Sequence, residues 1–185
     1  MRIIAGAYRG RVLCEFDRIG VRPTSDMARE SLFNILQMKV PQSVFVDLFA
    51  GTGAVGIEAL SRGAEKVYFN DLSRESVALV KRNLDKLGIK DDGVKVNVRC
   101  GDAELFLKKL ITEGVAADVV FIDPPYDSDA IEKVTPYIAQ VLSDDGVAVI
   151  ESENVFGGDL YERFGLIKTD ERRYGRAHFT FLKRE

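Results

Sequence analysis

Residues 47–56 read Asp47-Leu48-Phe49-Ala50-Gly51-Thr52-Gly53-Ala54-Val55-Gly56. The apolar triplet Val44-Phe45-Val46 precedes them as a short buried strand, and Ala54 to Arg62 continues as a helix. Gly51, Gly53 and Gly56 therefore form a G-x-G-x-x-G pattern between a strand and a helix. That spacing allows a tight turn, close approach of backbone to a ligand, and close helix–strand packing. Asp71 follows Gly51 at the interval of about 20 residues expected of an acid that accepts the hydroxyl hydrogens of a ribose.

Outward from this stretch, strands and helices alternate. Val67-Tyr68-Phe69 is a second strand, followed by an amphipathic helix from Arg74 to Leu87. Val94, Val96 and Val98 alternate with polar residues, as in an edge or half-exposed strand. Ala103 to Ile111 is helical. Val119-Val120-Phe121-Ile122 is apolar throughout, which suits the centre of a parallel sheet covered on both faces. Ile131 to Leu142 is helical, and Val147-Ala148-Val149-Ile150 is a fifth strand. Gly165–Thr169 and His178–Leu182 flank Arg172-Arg173-Tyr174-Gly175 and read as an antiparallel pair. Repeated strand–helix units predict an α/β fold with a doubly wound, mostly parallel sheet. Upstream, residues 1–22 read as two short strands around Tyr8-Arg9-Gly10-Arg11, a β-hairpin. Arg22-Pro23-Thr24-Ser25-Asp26 ends the extended segment and offers caps for a helix to about Met38, on which Ala28, Leu32, Ile35 and Leu36 recur at helical spacing. Two units follow: an N-terminal basic extension over 1–24 and a main domain over 25–185.

Bulk properties agree with one globular core. The chain has 185 residues, 46% of them hydrophobic, with no apolar run of membrane-spanning length and no signal-peptide pattern. Cys14 and Cys100 stand far apart, without metal-ligand spacing, and read as reduced thiols in the cytoplasm. The net charge is −3, but residues 1–13 hold Arg2, Arg9 and Arg11 and no acid, which leaves −6 for the remainder. Arg172, Arg173, Arg176, Lys183 and Arg184 form a second basic cluster. A mildly acidic body with basic chain ends fits an enzyme that docks on nucleic acid.

In open α/β sheets, ligands bind beyond the carboxyl ends of the strands. Here those ends carry Asp47, Asp71, Asp102, Asp123 and Glu151. Five acids on one rim repel one another unless cations or many donors lie among them. A dinucleotide would bring a pyrophosphate dianion to this rim. S-adenosylmethionine brings a sulfonium, an ammonium, a ribose and an adenine, and it suits the rim better. Asp123-Pro124-Pro125-Tyr126 follows the central strand. Two prolines remove two N–H donors, so carbonyl oxygens and the Asp123 carboxylate form a cluster of acceptors. Such a cluster can hold the N–H hydrogens of an exocyclic amine and localise its lone pair, which is positioning and charge stabilisation rather than nucleophilic catalysis by the protein. Tyr126 supplies a ring for stacking a planar base. His178, the single histidine, is read as structural, and Tyr174 either stacks on RNA or packs its own hairpin.

At these residues the chain resembles the class I S-adenosylmethionine-dependent methyltransferases, through Asp47-Leu48-Phe49-Ala50-Gly51-Thr52-Gly53-Ala54-Val55-Gly56-Ile57-Glu58-Ala59. Met1-Arg2-Ile3-Ile4-Ala5-Gly6 through Gly10, Arg22-Pro23-Thr24, Arg29-Glu30-Ser31-Leu32-Phe33-Asn34 and Arg172-Arg173-Tyr174-Gly175 resemble the bacterial RsmD family, over nearly the whole chain. The resemblance implies a Rossmann-like seven-stranded sheet. It also implies methyl transfer from S-adenosylmethionine, leaving S-adenosylhomocysteine, to N2 of a guanine in 16S ribosomal RNA, by a monomer without a metal. A DNA amino-methylase acting on adenine N6 or cytosine N4 is the alternative for the same tetrad. By resemblance, Asp47, Gly51 and Gly53 approach the methionine part of the donor, with Phe49, Ala50 and Thr52 in the same turn. Asp71 and Leu72 hold the ribose, Asp102 and Ala103 meet the adenine, and Asp123 borders both donor and acceptor. Asp123, Pro124, Pro125 and Tyr126 hold the guanine. Arg9, Arg11, Arg22, Arg29, Arg173 and Tyr174 contact RNA.

Overall fold

The computed structural model describes residues 1–16, 26–125, 129–152, 158–175 and 177–185. Its core is one seven-stranded sheet. The strands are β1 (Val44–Asp47), β2 (Lys66–Asp71), β3 (Val96–Cys100), β4 (Ala117–Ile122), β5 (Leu142–Glu151), β6 (Leu166–Tyr174) and β7 (Ala177–Arg184), in spatial order β3-β2-β1-β4-β5-β7-β6. β1 to β5 are mutually parallel, and β7 runs antiparallel to both β5 and β6. The helices are α1 (Asp26–Ile35), α2 (Ala54–Ser61), α3 (Arg74–Lys86), α4 (Ala103–Thr112), α5 (Ala130–Val141) and α6 (Gly158–Glu162).

The apolar strands alternate between two cores because successive side chains point to opposite faces. Phe45, Phe69, Phe121, Val149 and Phe179 face one core, which includes Leu32 and Phe33 of α1 and Ile57 of α2. Val46, Tyr68, Ile122, Ile150 and Leu182 face the other, with Leu107 of α4 and Ile138 of α5. The uniformly apolar run of β4 is thus a central strand covered on both sides. β3 is the sheet edge, as its alternation predicts, but it begins at Val96, and Val94 is exposed outside it. α1 buries Ala28, Arg29, Leu32 and Phe33, and Leu36 just beyond it is buried too, while Ile35 is exposed: the inward face runs through Phe33, and Ile35, two residues on, points away from it. Gly56 lets α2 settle onto β2, since a Cβ there would lie 2.3 Å from the buried Phe69 ring.

The N-terminal segment closes on itself by one antiparallel bridge, Arg2 to Val12, with Ile3 and Leu13 buried. It docks on the C-terminal half of α2. The Glu58 carboxylate accepts the N–H groups of Ile4 (2.8 Å) and Ala5 (3.0 Å), and the Ser61 carbonyl accepts that of Ala7 (2.8 Å). Gly6 adopts φ +83° there, where a Cβ would lie 1.8 Å from the Ser61 carbonyl oxygen. Among the described residues no helix is long and apolar enough to cross a membrane.

Candidate active site

Beyond the carboxyl ends of β1 to β4 lies a cleft of about 660 Å³. Asp47, Asp71, Asp102 and Asp123 all line it, together with Glu75, Glu104 and Asp129 from the first turns of α3 and α4 and the start of α5; Lys133 is the single cation among these lining residues. The strand-end acids therefore do converge. Glu151 ends β5 directly beside Asp123, because Ile122 pairs with Ile150.

The turn after β1 is built to approach a ligand. Gly51 has φ +53° and open space where a Cβ would be. Its N–H donates to Asp71 Oδ2 (2.8 Å), while Asp71 Oδ1 accepts the Ser73 N–H (2.8 Å). Phe49, Ala50, Gly51 and Thr52 line the cleft, as do Leu72 and Ala103. Gly53 does not. It has φ +79° and turns toward α3, where a Cβ would meet Val80 at 3.1 Å. Its absent side chain thus serves packing behind the turn. Asn70 is buried, and its Nδ2 donates to the Leu48 and Gly101 carbonyls, at 3.3 and 3.1 Å. Asp71 is the strand-end acid that fixes the turn. Asp102 caps α4, accepting the Leu105 N–H at 3.0 Å.

Electrostatics follow from this crowding. Burial pushes the Asp47 carboxyl up to about 7; its bond from the Gly56 N–H (2.9 Å) works against this, and the Asp71 charge adds to it. Burial raises Asp123 well above the usual carboxylate range, and the charges of Glu151 and Asp47 raise it further. Pro124 is buried and Pro125 exposed, and both line the cleft. Tyr126 lies outside the described residues, and so does Arg22.

The expected RNA-facing residues divide. Arg9 and Arg11 are exposed, but their loop is anchored at Ser61, at the end of α2 remote from the glycine turn. Eight helical residues put them about 12 Å along the axis from Gly53. Arg29 corrects the expectation outright: it is 0% exposed, and its Nη2 donates to the Arg2 carbonyl (2.6 Å) and Asp26 (2.9 Å). Its Nε lies 3.9 Å from Glu58. A buried guanidinium held by a carboxylate and a carbonyl ties α1 to the N-terminal segment and is withheld from a phosphate. Arg173 is exposed near the end of β6, paired with His178 beside the β6–β7 turn. The hairpin's turn stands on the side of the sheet where β5 ends, since Glu151 pairs with Phe179 and the Ser152 N–H donates to the His178 carbonyl. Tyr174 packs its ring 6.1 Å from Phe179, so hairpin packing accounts for much of it. His178 pairs with Glu171 (2.5 Å) on the sheet, away from the cleft walls. Sequence reasoning missed Phe16, Glu75, Glu104, Asp129 and Lys133 as lining residues. Glu75 and Glu104 had a signal, because the first turn of a helix that follows a strand end also faces the rim.

A sheet of order 3-2-1-4-5-7-6 with an inserted antiparallel β7, a glycine turn after β1 and an acid-rimmed cleft defines a Rossmann-like class I methyltransferase. The chain matches the model of the family described as "Conserved hypothetical protein 95" over residues 1–183, and it belongs to that family, the RsmD-family methyltransferases. It is 33% identical to the "Putative rRNA methyltransferase YlbH" of Bacillus subtilis, covering 100% of this chain and 99% of that one. It is 37% identical to the "Ribosomal RNA small subunit methyltransferase D" of Haemophilus influenzae, over 76% of this chain and 71% of that one. The solved "Putative methyltransferase yhhF" of Escherichia coli superposes with a TM-score of 0.80 at 28% identity, covering 100% of this chain and 98% of that one.

The residues present fit S-adenosylmethionine. Seven lining carboxylates suit a sulfonium and an ammonium, and Asp71 stands at the glycine turn where a ribose acid is required. A pH dependence follows. A cation in the cleft favours the Asp47 carboxylate, so binding releases a proton below about pH 7 and tightens as pH rises through about 7. The sign for folding is opposite. A folded value raised from 3.8 to about 7 contributes stability in acid that is lost as pH rises through about 7. Calorimetry of donor binding in buffers of different ionisation enthalpy should show proton release near pH 6 that vanishes by about pH 8. Affinity and proton count that stay flat across this range would disprove the assignment.

Proposed function

We propose that this protein methylates the exocyclic N2 of a guanine in 16S ribosomal RNA of the small ribosomal subunit, as a cytoplasmic monomer. The observation that carries the reading is the Asp123-Pro124-Pro125 segment at the end of central β4, inside an acid-lined cleft. The names of the relatives support ribosomal RNA as substrate.

S-adenosylmethionine, when bound, supplies an electrophilic methyl group on a positively charged sulfur. The chain's own residues position the acceptor. The Asp123 carboxyl and the carbonyls of a segment without proline N–H donors accept the amine hydrogens and turn its lone pair toward the donor side of the cleft. As the N–C bond forms and the C–S bond breaks, positive charge develops on the nitrogen next to Asp123. The amine proton then leaves to the Asp123 carboxylate or to water. Asp47 and Asp71 hold the donor side through the glycine turn.

The basic extension of residues 1–24, through Arg9 and Arg11, and the β6–β7 turn, through Arg173, would contact RNA at two places. Arg9 and Arg11 stand about 12 Å along α2 from the glycine turn. The test is mass-spectrometric mapping of small-subunit RNA from cells lacking this protein, followed by restoration with purified protein. One guanine should lose its N2 methyl and regain it in vitro. An unchanged methylation map, or greater activity on deproteinised duplex DNA, would overturn the reading.

A further inference from the structure

Among the described residues, one aromatic side chain in the cleft comes from outside the sheet, its helices and the turns that join them. Phe16 lines the cleft half-buried, at the end of the N-terminal segment. The other two aromatic walls belong to β4 and to the turn that follows β1. Phe121 is buried in β4, and Phe49 packs against the core beneath α4 and α5.

The path to Phe16 is fixed by a dedicated clamp. Asn83 of α3 is fully buried. Its Oδ1 accepts the Cys14 N–H (2.7 Å), and its Nδ2 donates to the Cys14 carbonyl (3.1 Å) and to the Thr52 carbonyl (2.9 Å). One amide thus saturates the backbone of residue 14 and ties it to the glycine turn. Leu13, next to it, is buried as a further anchor. Two residues of chain reach at most about 7 Å, so the Phe16 ring stays near the turn that follows β1. β1 pairs with β4, whose end carries Asp123, Pro124 and Pro125. The adenine end is expected at Asp102 and Ala103, after β3, with β2 between β3 and β1. The turn after β1 thus lies between the ribose acid at the end of β2 and the acceptor segment at the end of β4, and Phe16 lines the same cleft as Asp123, Pro124 and Pro125.

We propose that Phe16 is the face on which the target base stacks, a positioning residue that the N-terminal segment carries into the cleft and that Asn83 holds in register with the glycine turn. Every base offers a π-face to such a ring, and an acceptor cluster that holds amine hydrogens needs the base plane fixed before those bonds can align. The N-terminal segment then has two tasks, an outer basic loop at Arg9 and Arg11 and an inner aromatic wall at Phe16. This rests on the proposal that the acceptor is a nucleic-acid base.

The chain contains no tryptophan, so Phe16→Trp gives a single fluorescent reporter inside the cleft. The probe is a small-subunit RNA fragment carrying the unmethylated guanine, and its control is the same fragment with that base removed. With S-adenosylhomocysteine present, the intact fragment should quench the emission and the abasic one should not. S-adenosylhomocysteine alone should leave it unchanged. Phe16→Ala should lower kcat/KM for RNA by roughly 5- to 150-fold, the range of one lost base stack, with Phe16→Tyr restoring most of it and S-adenosylhomocysteine affinity unaltered. Quenching by S-adenosylhomocysteine alone would make Phe16 a donor wall and overturn the proposal, as would equal quenching by both fragments. If wild-type protein leaves the intact fragment unmethylated, the functional reading fails separately. Phe16 is then judged by the same emission against whichever nucleic acid the wild type does methylate.

Discussion

Asp123→Ala is expected to lower methyl transfer by roughly 10²- to 10³-fold, the loss typical when a preorganised group facing developing charge is removed. The carboxylate sits where β4 ends, beside Glu151 and Asp47, and these charges with its burial hold its proton affinity well above the ordinary range. Such a group costs stability in the free protein and gains most when a positively charged nitrogen forms next to it. Affinity for S-adenosylmethionine should fall far less than the transfer rate, because six other lining acids still face the cationic donor. Asp123→Asn keeps one acceptor oxygen and should fall between wild type and alanine. Single-turnover transfer to RNA, measured beside donor calorimetry, separates the two effects. A variant with near-normal single-turnover rate would remove Asp123 from the chemistry, and one that loses donor affinity in proportion to rate would move it to the donor site.

Glu58→Ala should destabilise the protein by about 3–5 kcal/mol, the usual consequence of stripping one partner from a buried charge cluster. Glu58 is 0% exposed and is the hub of the N-terminal dock. It accepts the Ile4 and Ala5 N–H groups and the Arg62 Nε (2.8 Å), and it faces the Arg29 guanidinium at 3.9 Å. Without it, among the described residues a fully buried arginine keeps Asp26 and the Arg2 carbonyl as hydrogen-bond partners. Two backbone donors also lose their acceptor, each worth about 1–3 kcal/mol when left unsatisfied in a buried site. Urea unfolding reads the total, and hydrogen exchange at Ile4 and Ala5 reads the local part. A loss below about 1 kcal/mol with those amides still protected would show that apolar contacts of Ile3 and Leu13 hold the segment by themselves.

These two residues illustrate what different kinds of sequence signal carry. Asp123 announces itself, because an acid and two prolines directly after an apolar strand make sense only as a loop at the sheet's carboxyl rim. Glu58 stands inside the glycine-motif stretch, so in sequence it groups with the ligand-facing residues. The helix turns it to the opposite side, where it meets residues more than fifty positions earlier in the chain. Arg29 carries the same lesson. A positive charge near a helix start suggests a phosphate partner, yet Asp26 one turn away and the distant Arg2 carbonyl claim it, with the buried Glu58 of another helix facing it.

The sequence by itself determined the α/β alternation, the central place of β4, the antiparallel pair at the C-terminus and the convergence of strand-end acids. All of these follow from local periodicity and from the rule that parallel strands present their carboxyl ends on one side. For Asp123-Pro124-Pro125 it also determined the place, since an acid and two prolines directly after an apolar strand belong on the carboxyl rim, where they line the cleft. Only the tertiary structure decided that Arg29 is a buried strut, that Gly53 serves α3 rather than the cleft, that Arg9 and Arg11 stand at the far end of α2, and that Phe16 enters the cleft through the Asn83 clamp. The physical reason is common to all four. Each outcome depends on a partner distant in the chain, and burial or hydrogen bonding with that partner has no periodicity to betray it.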